Sequence, residues 1–298
     1  MRVSLSAFCL TALMATGAWA QNAQPQAKMD STNHAPESTG PDYTAVYCSS
    51  FITDEKIPDT TYLVSGEESN SRIVFARGDV VYINQGSSQG VKVGDRYDVL
   101  RQEKDAVEVQ WFKWQDKLLR AMGTIYRDKG QLRVISVTPN LSTAVVSLSC
   151  EYMQRGDIIR ALAERPAPPY KPSAAFDHFA PVSGKPVGML VAGQDYSQLF
   201  GKNSLVYVNL GNNQGVKVGD YMRIFRYQGS HAETTQYLVD YQYKILGFGS
   251  TPVKYEWNDL PREVLGEAIV VNTSHNSCTV FVTYSRIELF AGDYVEIE

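Results

Sequence analysis

The stretch Val81-Tyr82-Ile83-Asn84-Gln85-Gly86-Ser87-Ser88-Gln89-Gly90-Val91-Lys92-Val93-Gly94-Asp95 returns 125 residues later as Val206-Tyr207-Val208-Asn209-Leu210-Gly211-Asn212-Asn213-Gln214-Gly215-Val216-Lys217-Val218-Gly219-Asp220. Eleven of these fifteen positions are identical, which identifies an internal duplication. The match extends upstream, where Tyr62-Leu63-Val64-Ser65-Gly66 parallels Met189-Leu190-Val191-Ala192-Gly193. Downstream, Arg133 to Ser149 parallels Ile269 to Ser285, and each copy closes on a second Gly-Asp, Gly156-Asp157 and Gly292-Asp293.

Both copies carry the period of β-structure. Val81 and Ile83, like Val206 and Val208, alternate with more polar neighbours. Ala144, Val146 and Leu148 do so later in the first copy, and Val280, Val282 and Tyr284 in the second. Gly, Asn and Asp clusters punctuate these runs. Short strands in a unit of about 100 residues predict an all-β chain of two tandem small antiparallel β-barrel modules, because closure removes exposed sheet edges. The expected boundaries are a first module over residues 47–163 and a second over 188–298. The segment 164–187 between them holds six of the thirteen prolines and reads as an extended, semi-rigid linker.

Residues 1–20 have the form of a secretory signal peptide, with Arg2 at the start, an apolar run from Leu5 to Ala15 and Ala18-Trp19-Ala20 before Gln21. This predicts a periplasmic or extracellular protein. No other stretch approaches about 18 apolar residues, so no transmembrane segment is expected in the mature chain. Residues 21–46, rich in Gln, Asn, Ser, Thr, Ala and Pro, read as a disordered tether. Lys plus Arg number 28 and Asp plus Glu 32, a net charge of -4, with no basic block; this disfavours nucleic-acid binding.

The repeated motif resembles the C-terminal β-barrel domain of the flagellar assembly protein T family, over roughly residues 78–160 and 203–297. Similar modules occur in other bacterial envelope proteins. The resemblance implies an envelope-located interaction or scaffold domain without catalysis.

Candidate sites are few. Gly86-Ser87-Ser88-Gln89-Gly90 has the form G-x-S-x-G, which would make Ser88 a hydrolase nucleophile. The second copy places Asn213 there, and only Gly86, Gly90, Gly211 and Gly215 are shared, so a turn that needs glycine is the reading favoured here. The Gly-Asp pairs Gly94-Asp95, Gly156-Asp157, Gly219-Asp220 and Gly292-Asp293 read as four turns capped by aspartate. His34, His178, His231 and His275 have no ligand-type spacing, so neither a metal nor a cofactor is expected.

Three cysteines follow the signal segment. Cys48 and Cys150 bracket the first module and are expected to pair. Cys278 shares the inward parity of Val280 and Val282 and is expected to be a buried thiol.

The copies differ in two aromatic-rich insertions, Glu103 to Gly123 and Gln228 to Val264. The first holds Trp111, Trp114, Leu118 and Met122 near helical spacing, which predicts one short amphipathic helix. The second holds Trp257 with Tyr237, Tyr241, Tyr243 and Tyr255. One use of these aromatics is to plug a barrel or dock one module on the other. The other is a binding surface for an envelope protein partner or a cell-wall glycan, with Trp111, Trp114, Trp257, Tyr241, Tyr243 and Tyr255 as anchors. The expected function is non-catalytic binding or scaffolding. Peptidoglycan or polysaccharide binding is the alternative, and a Ser88 hydrolase a weaker one.

Overall fold

The computed structural model describes residues 40–103, 110–171, 177–228 and 260–298. In chain order, the first module comprises α1 (Tyr43–Tyr47), β1 (Phe51–Thr53), β2 (Leu63–Gly66), β3 (Val74–Phe75), β4 (Val80–Ile83), β5 (Arg96–Glu103), α2 (Gln115–Met122), β6 (Thr124–Val137), β7 (Ser142–Ser149), β8 (Met153–Gln154) and β9 (Ile158–Ala161). The second comprises β10 (Val187–Gly193), β11 (Leu199–Phe200), β12 (Leu205–Val208), β13 (Tyr221–Arg226), β14 (Glu263–Thr273), β15 (Cys278–Ser285), β16 (Leu289–Phe290) and β17 (Tyr294–Ile297).

The duplication holds strand for strand. The second module is a closed antiparallel barrel in the order β10-β12-β15-β14-β13-β17, with β17 pairing back onto β10. The first repeats that order as β2-β4-β7-β6-β5-β9. Its ends meet through a single bridge, Tyr62 to Ile158, supported by Leu63 N–H donating to Asp157 O at 2.9 Å. Each module adds the same two-stranded ribbon, β3-β8 in one and β11-β16 in the other. The fold is thus all-β and barrel-built, as the alternation predicts.

The repeated residues explain the frame. Val81, Val91, Val206 and Val216 are core. Gln89 accepts the Gly86 N–H through its side chain at 2.8 Å, and Gln214 accepts Gly211 N–H at the same distance. Gly90 and Gly215 sit at φ 88° and 84°, where a Cβ would clash with its own backbone. Gly86 and Gly211 correct the expectation of one cause for all four. Their φ values are −139° and −143°, open to any residue, but a Cβ would lie 2.2 Å from Thr138 O and 2.4 Å from Ser274 O. Close backbone approach, not handedness, demands glycine there.

One expected boundary moves. Residues 43–46, assigned to the tether, belong to α1, which is capped by Asp42 accepting Ala45 N–H at 2.7 Å. The Tyr43 and Tyr47 rings pack 4.4 Å apart, and Tyr47 accepts the Arg165 N–H at 2.9 Å. Two aromatics one helical turn apart were the local signal.

After α1 the chain runs between the barrels. β6 is fourteen residues long, and β7 pairs only from Gly130 onward, so Thr124–Tyr126 is left open on that side. β1 fills the opening. Its other side faces the second module, where Thr279 Oγ1 donates to Ser50 O at 2.9 Å and Ser277 Oγ to Ile52 O at 2.7 Å.

The described parts of the linker, 164–171 and 177–187, lie along both modules. Arg165 at its start reaches Asp128 at 3.0 Å and Asp98 at 3.4 Å; both carboxylates are buried. At its end, Ser183 N–H donates to the buried Glu296, which also holds Arg262 at 2.6 Å. Burial pushes the Asp98 carboxyl up despite Arg165 and Arg160 beside it. No helix among the described residues is long and apolar enough to cross a membrane.

Candidate functional site

The first insertion is where the modules depart from their shared plan. Gln115–Met122 is helical because it is built from strong helix formers, with Asp116 in the first turn and Arg120 in the last, paired with each other one turn apart. It stops at Gly123 (φ 121°), where a Cβ would lie 2.2 Å from Thr53 O.

The helix presents two faces. Leu119 and Met122, with Phe112 just before the helix, are buried in one continuous core with Leu190, Val206, Val208 and Val280 of the second barrel, and Trp111 packs partly against it. Gln115 is fully buried and links the modules: its amide donates to Val191 O at 2.7 Å and accepts Trp111 N–H at 2.8 Å. Val191 sits at the bulge between Leu190 and Ala192, where the strand register shifts and the ladder is interrupted. Gln115 therefore satisfies a carbonyl that burial under the helix would otherwise leave without water.

Trp114 faces the other way. It precedes the helix at φ 81°, is 53% exposed, and caps nothing with its side chain. Its ring has Lys117 Nζ 4.9 Å and Lys113 Nζ 5.7 Å from its centroid. So the stripe expected over Trp111, Trp114, Leu118 and Met122 divides: Trp111 and Met122 contribute to docking, Leu118 packs partly at the edge, and Trp114 stands outside. Trp257, Tyr237, Tyr241, Tyr243 and Tyr255 lie outside the described residues.

A second feature is a cleft of about 790 Å³ between α1, the end of β7 and the loops that flank β11. Cys48, Cys150, Arg127, Glu151, Gln194 and Lys202 line it. The disulfide Cys48–Cys150 is formed, as the bracketing positions predict, and Cys278 is free and buried. Burial pushes the Cys278 thiol up, which keeps it protonated and inert. Glu151 takes charged bonds from Arg127 and from Lys129. Burial alone would raise its carboxyl, but those two cations outweigh it and hold the group below the usual glutamate range. Gln194 crosses the cleft wall to Cys48 O at 2.6 Å. Behind it, burial raises the Tyr196 and Tyr207 phenols, so both stay neutral.

The other sequence candidates resolve into turns. Asp95 accepts Lys92 N–H, Asp220 accepts Lys217 N–H, Asp157 accepts Gln154 N–H and Asp293 accepts Phe290 N–H, at 2.7–2.9 Å. Gly94, Gly156, Gly219 and Gly292 all have positive φ. Asp157 and Asp293 do more: each holds a strand arginine, Arg101 at 2.6 Å and Arg226 at 2.7 Å. That partnership was not read from the sequence, although Arg101 and Arg226 stand 125 residues apart in the repeat. Ser88 is exposed in a single 3-10 turn, Ser87–Gln89, and no α-helix follows it. His178 reaches Glu263 at 3.1 Å as a half-buried pair, and His275 reaches Asp54 at 3.1 Å as an exposed one. Among the described residues, no group of three His, Cys, Asp or Glu side chains is placed to hold a metal ion.

In comparisons with protein-family models and with curated proteins, nothing matches this chain.

Proposed function

We propose that this chain is an exported, non-catalytic binding or scaffold protein of the bacterial envelope, built on the module type of the flagellar assembly protein T family. The observation that carries the reading is the division of labour between frame and insertion. Most of the residues repeated in both copies are occupied by core, turn and strand-end duties. The unrepeated first insertion docks the modules with one face and turns an aromatic-cationic face outward. A rigid frame with recognition on its variable loops is the usual arrangement for a binding domain. The disulfide suits an oxidising compartment.

The test is recovery of the chain from the envelope fraction with its N-terminus at Gln21, followed by crosslinking in cells and by pull-down on purified cell wall. A full-length chain in the cytoplasm counts against export. A polysaccharide-binding reading is favoured by the exposed indole of Trp114. The Ser88 hydrolase has little support, because its strand-to-helix context is missing; activity lost in a folded Ser88→Ala protein would restore it.

A further inference from the structure

We propose that Trp114, with Lys113 and Lys117, is a binding site for a carboxylate-bearing polysaccharide, a proposal that rests on reading the chain as a binding module. Three observations converge on it. First, the backbone at Trp114 is unfavourable for the residue it carries. A bulky side chain at φ 81° is a genuine outlier, and helix starts prefer Ser, Thr, Asp or Asn. Asparagine would suit both the left-handed conformation and the cap. Among the described residues the docking core does not recover the cost, since the ring is more than half exposed, meets only the exposed Lys113 and Lys117, and Trp111, Phe112, Leu119 and Met122 do the docking. Strained positions that persist without structural benefit concentrate where function needs them.

Second, two cations lie over the ring. Lys113 and Lys117 are both exposed, both near the indole, and neither is in an ion pair among the described residues. Asp116, between them in sequence, is engaged by Arg120. On a chain of net charge -4 this is a local positive spot.

Third, the combination selects a ligand class. An exposed indole offers a flat apolar face on which the C–H face of a sugar ring can lie, and the ammonium groups held over that indole by cation–π attraction meet carboxylates. A neutral sugar would use the ring and gain no charge pairing from the two ammonium groups.

The experiment uses the full chain and polygalacturonate as the acidic probe, with dextran as the neutral one and phosphatidylglycerol vesicles as an anionic lipid surface. Wild type should bind polygalacturonate, more weakly as salt rises, and bind dextran little. Trp114→Asn should weaken polygalacturonate binding about tenfold or more while the melting temperature stays level or rises, because the strain is relieved. Trp114→Tyr should retain part of the binding, and Lys113→Gln with Lys117→Gln should remove its salt dependence. The proposal is overturned if wild type fails to bind polygalacturonate, if Trp114→Asn binds equally well, or if Trp114-dependent binding goes to the vesicles instead. Those failures leave the broader binding-module reading to its own test, crosslinking to an envelope partner.

Discussion

Replacing Gln115 by leucine tests the joint between the modules. The substitution preserves length and apolar bulk and removes only the amide. Two backbone groups then lose their partners, Val191 O at the bulge of β10 and Trp111 N–H ahead of α2. A buried backbone group left without a partner costs about 1–3 kcal/mol. Gln115 is fully buried, so water cannot replace the amide at Val191, whereas Trp111 is only partly covered and its share falls at the low end. The sum is about 2–4 kcal/mol, or roughly 4–8 °C of melting temperature for a protein of this size. Thermal melting by circular dichroism reads the shift, and urea denaturation shows whether the two barrels still unfold in one transition. Gln115→Glu should be worse than leucine at neutral pH, since a carboxylate still accepts from Trp111 but offers Val191 O no donor and buries an unpaired charge. A Gln115→Leu protein that melts at or above the wild type would refute the idea that this amide joins the modules.

Other outcomes follow from the same geometry. Gly90→Val and Gly215→Val should each destabilise through positive φ, and Gly86→Ala through its collision with Thr138 O, all read by melting. Reducing Cys48–Cys150, 102 residues apart, should cost about 4–5 kcal/mol in the chain-entropy model, and non-reducing peptide mapping should find Cys278 unpaired. Glu151 is held below its unfolded range, so the stability it contributes is present at neutral pH and lost as pH falls through and below about 4.3. Denaturation across pH 3–7 should therefore show a flatter acid limb in Glu151→Gln, and an unchanged limb would contradict the assignment.

Much of the frame could be read directly because its signals are local. Alternating valines, paired glycines and the Gly-Asp turns each act within a few residues, and the repeat displays them twice. The Cys48–Cys150 pair was legible from its positions around one module. What was not legible depends on contacts distant in sequence. β1 pairs with β6 because β7 is too short to cover it, and three consecutive residues carry no period that announces a strand. The helix was expected, but which residues faced the second barrel was not. Spacing alone grouped Trp114 with Trp111, whereas the chain enters α2 through a left-handed Trp114 that turns its ring away from the core. Gln115 gave no signal, since a polar residue is read as exposed unless its buried partner, here the bulge at Val191, is known. The arginine partners of Asp157 and Asp293 were open to the repeat comparison and required only that the strand after each first Gly-Asp be aligned.

The most direct measurement is quantitative co-sedimentation of the purified chain with isolated cell envelopes, comparing insertion variants with frame variants of equal stability. The account predicts that Ser88→Ala and Lys92→Ala sediment like wild type, and that Trp114→Asn, still folded, remains in the supernatant. Equal sedimentation of Trp114→Asn, or loss of sedimentation in Ser88→Ala, would contradict it.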